Sequence, residues 1–335
     1  MNRKIHSFKI FFTLIIIVIF SLTACGSSSN KTPDGKTKVR IAYFPNITHT
    51  QALIMKNQQT LEALWADSCE VTWKSFNAGP AEIEAIFAGE IDLGYIGPVP
   101  ALSANVKSVG DVKIISNATN AGAVLLKRTS SGIQTVSDLA GKKIAVPQLG
   151  NTQHLCLLAL LSEHGLSTVD KGGDVTIVAS SNADILNLMD NGSIDAAFVP
   201  EPWSTTIMKN GNAEILLDYD KVFLNGKYPT AVVIANNDFV EKHPDIVEEF
   251  LKAHKEATLY INENKEEAIQ IVNAEIKATT EKALDEDVIQ KAFSCMTVNS
   301  ILNQDAIMKF AKISKEEGFI RTIPEVEHVF RTESN

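Results

Sequence analysis

Residues 39–53 read VRIAYFPNITHTQAL, and residues 142–155 read KKIAVPQLGNTQHL. Each segment is a short apolar strand, a polar loop and then an apolar helical run that opens at Thr-Gln. A second pair follows in the same order, IFAGEIDLGYI at 86–96 and MDNGSIDAAFV at 189–199, at an offset of 103 residues. Two pairs of similar segments, separated by nearly the same number of residues and in the same order, indicate an internal duplication.

Another strand–helix unit lies between the members of each pair, so each repeat reads β-α-β-α-β. Strands that alternate with helices of about 10–15 residues indicate parallel sheet with right-handed crossovers. Gly89 and Gly192 follow the second helix of their repeats, where a glycine with positive φ commonly ends a helix. The sequence therefore predicts an α/β protein made of two similar, mainly parallel β/α lobes.

Two further segments are expected to connect the lobes around a central cleft. Residues 114–127 read as a strand, a polar break at 117–122 and a second strand, and residues 228–235 read as a strand running back. Because the chain passes between the lobes twice, the first lobe is built from two separate stretches of sequence. The expected division is lobe 1 at 38–120 and 229–335, and lobe 2 at 121–228.

The first 24 residues have the order of a secretory signal, with a basic start, an apolar run from Ile10 to Phe20 and then small residues. That run is too short to cross about 30 Å of hydrocarbon as a stable helix. The ending Leu22-Thr-Ala-Cys25 resembles the bacterial lipobox of a lipoprotein signal peptide, which implies cleavage before Cys25 and lipidation of Cys25. Residues 25–37 predict a flexible tether. We therefore expect an exported protein, lipid-anchored to the outer face of the bacterial cell membrane or on the periplasmic side.

Composition narrows the possible classes of protein. The chain has 335 residues, 45% hydrophobic and 21% charged, which suits a globular protein of two domains. Its net charge of −9 argues against nucleic-acid binding, because phosphate contacts need clustered Lys and Arg. Cys69, Cys156 and Cys295 are too far apart in sequence for a Cys-x-x-Cys pair, and the apolar surroundings of Cys156 predict a buried thiol. We expect a monomer without metal or cofactor.

Four loops form the candidate site, since ligands of open parallel sheets bind beyond the carboxyl ends of the strands. The loops are 43–50, 97–100, 149–153 and 200–203. Helices that open near Thr50 and Thr152 offer free N–H groups and a favourable dipole to an anion. The candidate ligand-binding residues are Asn46, Thr48, His49, Gly97, Pro98, Asn151, Thr152, Gln153, Glu201 and Trp203.

Several of these residues have a second interpretation. Asn and Thr at helix starts also serve as N-caps, and Glu201 would either face the cleft or cap the following helix. The four loops contain no Lys or Arg. The sequence therefore leaves two classes of ligand open, an anion and an uncharged heteroaromatic molecule that stacks on Tyr43, Phe44 or Trp203.

Three stretches, at 91–98, 132–145 and 194–203, resemble substrate-binding lipoproteins of ABC importers. They are most similar to the nitrate/sulfonate/bicarbonate group, including taurine- and alkanesulfonate-type proteins, with the type II periplasmic-binding-protein fold. The resemblance extends from Lys38 to Phe319. It implies a cleft that closes on a small solute and presents it to a membrane permease with a separate ATPase subunit. Alkanesulfonates and taurine are the leading candidate ligands, and nitrate, bicarbonate and thiamine-precursor pyrimidines are the alternatives.

An enzyme is the competing class. One branch of this fold synthesises the thiamine pyrimidine with its own histidine and a cysteine-rich motif, but this sequence has no cysteine cluster. It also lacks the Gly-x-Ser-x-Gly and His-Glu-x-x-His motifs. His154 and His164 are ten residues apart, without the spacing of metal ligands. We therefore expect a binding protein and not an enzyme.

Overall fold

The structure, a computed structural model, describes residues 30–331. The predicted signal peptide, Cys25 and the first part of the predicted tether lie outside these residues and stay predictions. Among the helices of the described residues, none is both long and apolar enough to cross a membrane.

Eleven strands in the described part of the chain form two sheets. They are β1 (Thr37–Tyr43), β2 (Cys69–Ser75), β3 (Leu93–Ile96), β4 (Val112–Ala121), β5 (Ala123–Arg128), β6 (Lys143–Val146), β7 (Thr176–Ala179), β8 (Ala196–Pro200), β9 (Ala213–Leu217), β10 (Pro229–Asn236) and β11 (Met296–Val298).

The helices cover the faces of these sheets. They are α1 (Thr50–Asn57), α2 (Thr60–Leu64), α3 (Gly79–Phe87), α4 (Pro98–Lys107), α5 (Thr152–Glu163), α6 (Asn182–Asp190), α7 (Trp203–Asn210), α8 (Asn237–Lys242), α9 (Pro244–Glu263), α10 (Lys265–Thr280), α11 (Glu286–Ser294), α12 (Gln304–Glu316) and α13 (Val326–Val329). A short 3₁₀ helix, Ile47–His49, leads directly into α1.

The two sheets repeat one arrangement of strands. The six-stranded sheet has the order β11-β4-β10-β3-β1-β2, and the five-stranded sheet has the order β7-β6-β8-β5-β9. In each, a central strand (β1 or β6) pairs in parallel with its two neighbours, and antiparallel strands extend the sheet beyond β3 or β8. The six-stranded sheet with its helices is called lobe 1 below, and the five-stranded sheet with α5, α6 and α7 is called lobe 2. The predicted α/β class with two similar lobes is confirmed, although both sheets are mixed.

Repeated aspartates fix the same strand junction in both lobes. Asp92, just before β3, accepts the backbone N–H of Arg40 at 2.8 Å and pairs with the Arg40 guanidinium at 2.6 Å. Asp195, just before β8, accepts the backbone N–H of Lys143 at 3.0 Å and pairs with Arg128 at 3.0 Å. The two repeats therefore share this contact between an aspartate, a backbone N–H group and an arginine, in addition to their similar sequences.

The chain passes between the lobes at Gly122, between β4 and β5, and again just before β10. The polar break predicted at 117–122 is wrong except at its end, because β4 continues to Ala121. Asn117 and Thr119 in this strand are buried, and each side chain donates to a backbone carbonyl, at 2.9 Å and 2.8 Å. The N–H of Ala121 donates to the carbonyl of Tyr228 at 3.0 Å, so the two crossings lie side by side.

Glu82 on α3 is an unusual member of the lobe 1 core. Its side chain is 0% exposed, and neither carboxyl oxygen has a hydrogen-bond partner among the described residues. It lies against the backbone of Gly94 on β3, where only a residue without a Cβ leaves room for it. Burial raises the pKa of Glu82 well above its ordinary value, so the carboxyl is held neutral.

Replacing this carboxyl should change the pH dependence of stability. The unfolded chain ionises Glu82 near its ordinary pKa of 4.5, whereas the folded protein keeps the carboxyl protonated to higher pH. Below the pKa of the unfolded chain, the protonated Glu82 carboxyl makes its full contribution to the free energy of unfolding. That contribution is lost as the pH rises from this value towards the raised pKa of the folded protein. Glu82→Gln should exceed the wild-type free energy of unfolding near pH 8, because the amide has no proton whose uptake on folding costs free energy at that pH.

Urea unfolding near pH 8 and near pH 4.5 measures this gain, which should shrink at the lower pH. Glu84→Gln is the matched control, because Glu84 is exposed on the same helix. A gain of equal size at both pH values would contradict a buried carboxyl that is neutral only in the folded state.

Candidate functional site

A cleft of about 570 Å³ lies between the two lobes. It opens at the carboxyl ends of β1, β2 and β3 in lobe 1 and of β6, β7 and β8 in lobe 2. Another groove of about 560 Å³ runs between α10 and α11 of lobe 1, away from the strand ends. The cleft is the candidate site, since it is built from equivalent edges of the repeated sheets.

Six helices begin at this cleft. The first turn of a helix has N–H groups without helical acceptors and carries a partial positive charge. Three starts belong to lobe 1 and three to lobe 2, and each contributes a lining residue: Thr48 of the 3₁₀ helix, Gly79 of α3, Gly97 before α4, Thr152 of α5, Asn182 of α6 and Trp203 of α7. The cleft is therefore suited to an anion without a basic side chain.

Thr152 places a free hydroxyl between the lobes. The residue is 3% exposed, and its Oγ1 has no hydrogen-bond partner among the described residues. A Cβ on residue 97 would lie 2.5 Å from this oxygen, so glycine is what allows the loops of the two lobes to meet here. A buried hydroxyl without a partner costs free energy unless a ligand or water completes its bonding. Thr152 is therefore the strongest single candidate for a ligand contact.

Asn46 and Asn151 line the cleft but already serve as N-caps. Oδ1 of Asn46 accepts the Thr48 N–H at 3.0 Å and the Thr48 hydroxyl at 3.2 Å. Oδ1 of Asn151 accepts the His154 N–H at 2.8 Å. These oxygens hold the loops in shape, which leaves the amide NH₂ groups as potential donors. Gln153 lines the same wall of lobe 2.

His49 contributes a neutral ring to the cleft. Its Nδ1 accepts the backbone N–H of Phe44 at 3.0 Å, and the two rings stack with centroids 4.4 Å apart. Burial lowers the pKa of His49 to about 3, so the ring is uncharged near neutral pH. With Nδ1 accepting, the proton lies on Nε2, which is then a neutral donor.

Two predicted site residues do not line the cleft. Glu201 is 0% exposed, and its carboxyl accepts the N–H of Thr205 at 3.2 Å and the Thr205 hydroxyl at 2.9 Å. It therefore caps α7, and burial raises its pKa. Pro98 is buried inside the first turn of α4, and Pro100 lines the cleft in its place.

Three aromatic side chains supply the apolar part of the wall. Phe44 and Phe76 come from lobe 1, and Trp203 comes from lobe 2. Tyr43 was expected as a stacking candidate, but it is buried beneath the sheet, where its hydroxyl lies 3.2 Å from that of Thr279. The cleft thus combines neutral polar donors with aromatic surface.

Two lining loops were absent from the sequence prediction. The loop between β2 and α3 contributes residues 76–79, and the loop between β7 and α6 contributes residues 179–183. Ser181 caps α6 by accepting the Asp184 N–H at 3.3 Å, and Oδ1 of Asn182 is buried without a partner in the described structure. The strand-end rule applied to β2 and β7, as it was to β1 and β6, identifies both loops.

The remaining sequence predictions concern metals and thiols. Within residues 30–331, no group of three or more His, Cys, Asp or Glu side chains is arranged to hold a metal ion. Cys69, Cys156 and Cys295 are buried free thiols, and the buried thiol predicted for Cys156 is confirmed.

Comparison with known proteins identifies relatives of this chain. The model of the NMT1-like family matches residues 32–275. A Bacillus subtilis (strain 168) protein, provisionally named an aliphatic sulfonates-binding protein, is 28% identical over 300 residues, which cover 88% of this chain and 85% of that protein. The taurine-binding periplasmic protein of Escherichia coli (strain K12) is 33% identical over 185 residues, 55% of each chain.

A solved structure shares the fold. The alkanesulfonate-binding protein SsuA from Xanthomonas axonopodis pv. citri, bound to MOPS, superposes with a TM-score of 0.72 at 23% identity. The superposition covers 88% of this chain and 98% of that protein. Two lobes around a cleft are therefore a known periplasmic-binding-protein architecture.

Proposed function

Because the chain belongs to the NMT1-like family, we propose that it is the substrate-binding component of an ABC importer that captures a small alkanesulfonate between its lobes. It is a binding protein and not an enzyme, like the sulfonate- and taurine-binding relatives. The lobes close on the solute about their two crossings, and the closed form delivers it to a membrane permease driven by a separate ATPase subunit.

The free Thr152 hydroxyl at the start of α5 is the observation that carries this proposal. A sulfonate is permanently ionised and presents three oxygens that accept hydrogen bonds. The cleft offers neutral donors and helix N-termini on both lobes, which together stabilise a buried anion without a cation. An oxyanion seated against Thr152 completes the bonding of a hydroxyl that the protein leaves unpaired.

The aromatic side chains that line the cleft favour some candidate anions over others. Phe44, Phe76 and Trp203 provide apolar surface to an alkyl or aryl group. Nitrate and bicarbonate have no apolar part and leave this surface uncovered. The rings also support the second candidate, a neutral thiamine-precursor pyrimidine, which would stack on them but would not use the helix N-termini as fully.

Calorimetric titration tests the proposal with one panel of ligands. Alkanesulfonates of two to six carbons, nitrate, bicarbonate and 4-amino-5-hydroxymethyl-2-methylpyrimidine are titrated separately into the protein. We expect the alkanesulfonates to bind tightest, with affinity rising as the chain covers more aromatic surface. Binding of the pyrimidine alone would replace this function with the second candidate, and binding of nitrate in preference to every sulfonate would contradict it.

Anchoring through Cys25 is part of the same proposal. A lipid on this residue would hold the exported protein beside its permease. The tether would be shorter than the predicted residues 25–37, because Thr32 is buried and β1 begins at Thr37. Cys25→Ala should abolish incorporation of a labelled fatty acid, since no other thiol occupies the lipobox, and Cys69→Ala should not. Whole-cell labelling followed by immunoprecipitation measures this. A wild-type protein that takes up no label would show that the lipobox interpretation is wrong.

A further inference from the structure

We propose that the cleft selects sulfonates without an ammonium group, so that it excludes taurine and accepts its uncharged-tail isostere 1-propanesulfonate. The two molecules differ only in a terminal NH₃⁺ or CH₃ group on the same sulfonate chain. This inference rests on the proposed function, because it names which sulfonates the same cleft takes.

The wall of the cleft is uniformly neutral. Every residue that the structure places along it is an amide, a hydroxyl, an aromatic, a small apolar residue or His49. A sulfonate is compensated here by helix N-termini, but the same dipoles repel a cation. An ammonium group that enters such a cleft loses its hydration and finds no opposite charge along the described wall, which is the costly case for a buried charge.

The oxygens that the wall offers to an ammonium group are neutral. Oδ1 of Asn46 already accepts two hydrogen bonds and Oδ1 of Asn151 accepts one, and a neutral oxygen does not supply the opposite charge that a buried ammonium group needs. Glu201 faces Thr205 beneath the wall. The one lining residue whose buried amide oxygen lacks a partner in residues 30–331 is Asn182, at the start of α6.

Two carboxyl groups beside the cleft also have to be considered. Asp184 is exposed and accepts the Ser181 hydroxyl at 2.6 Å, so it belongs to the N-terminal cap of α6. Glu82 is enclosed behind Gly94 and faces no aqueous space. Neither residue lines the cleft. Cation–π attraction to the rings of Phe44 and Phe76 would offset only part of the cost of burying an unpaired ammonium group, whereas a methyl group on the same rings carries no such cost.

Calorimetry with the matched pair of ligands tests this inference. We expect 1-propanesulfonate to bind the wild type at least tenfold more tightly than taurine near pH 7.5, where taurine is a zwitterion. Equal affinities, or tighter binding of taurine, would overturn the inference while leaving a sulfonate-binding protein in place. If neither ligand nor any longer alkanesulfonate binds, the proposed function itself fails.

A substitution at Asn182 tests whether the missing charge sets this preference. Asn182→Asp adds a carboxylate at the first position of α6, where the helix dipole favours it, so the fold is expected to be retained. The variant should bind taurine more tightly and 1-propanesulfonate more weakly, which narrows their ratio at least fivefold. Asn191→Asp is the matched control, because Asn191 is exposed just past the other end of α6.

The control should leave the ratio of affinities at the wild-type value. If Asn182→Asp, folded by its melting curve, also leaves the ratio unchanged, the absence of a carboxylate from the wall does not set the preference and the inference is overturned. An increase in the preference for 1-propanesulfonate would likewise overturn it, since an added carboxylate cannot favour the methyl group through charge.

Discussion

Thr152→Ala should weaken the binding of 1-propanesulfonate about ten- to a hundredfold, while the ligand-free protein melts near the wild type. A hydrogen bond to a charged group contributes about 1.5–3 kcal/mol, which corresponds to this range of affinity. Because Oγ1 of Thr152 has no partner in the described structure, its removal breaks no bond within the protein. Loss of affinity without loss of stability is therefore the expected signature, measured by calorimetry and by thermal unfolding.

Three variants serve as comparisons for this result. Thr152→Ser keeps the hydroxyl and should recover most of the affinity. Thr176→Ala alters an exposed threonine at the opposite end of β7 from the cleft and should bind like the wild type. Asn46→Ala should lose stability as well, by about 0.5–2 kcal/mol, because this side chain caps a helix. Normal binding by Thr152→Ala would remove the main reason for placing the sulfonate at the start of α5.

Gly97→Ala should reduce the affinity for 1-propanesulfonate about five- to a hundredfold by overpacking the contact between Gly97 of lobe 1 and Thr152 of lobe 2. The added Cβ would lie 2.5 Å from Oγ1 of Thr152, and strain from such overpacking commonly costs about 1–3 kcal/mol. The backbone of Gly97 has φ −67°, which alanine adopts freely, so the effect comes from the contact across the cleft. Calorimetry measures the affinity, and thermal unfolding should show that the separate lobes still fold.

A double-mutant cycle identifies the contact. Without the Thr152 hydroxyl, the nearest atom to the new Cβ is Cδ of Pro100 at 3.5 Å, an ordinary van der Waals distance. Gly97→Ala should therefore cost much less in a Thr152→Ala background than in the wild type. Additive losses would show that the two residues do not meet across the cleft and that the lobes close in another way.

The internal repeat explains why the fold could be read from the sequence. The paired segments place β1, β2 and β3 in the same order as β6, β7 and β8, and the structure confirms that arrangement. Gly89 and Gly192 follow their helices at φ 69° and 73°, as the repeat predicts. The polar residues 117–121 resemble a break in sequence, but Asn117 and Thr119 donate hydrogen bonds to distant carbonyls, which local composition does not reveal.

The site was only partly predictable, and the reasons differ between residues. Thr152 and Gly97 could be placed at the cleft because strand ends determine where loops gather. That Glu201 turns inward to Thr205 depends on the geometry of the start of α7, which the run Pro-Glu-Pro-Trp does not specify. The free oxygen of Asn182 depends on which amides are already used as caps, and this becomes visible only in three dimensions.

A crystal structure of the protein grown with 1-propanesulfonate tests the central claim most directly. The account predicts the sulfonate group between the lobes, with one oxygen within about 3 Å of Oγ1 of Thr152, and the propyl chain against Phe44 and Phe76. A sulfonate bound outside this cleft, for example in the groove between α10 and α11, would contradict the account. So would a ligand in the cleft that points its alkyl end at Thr152.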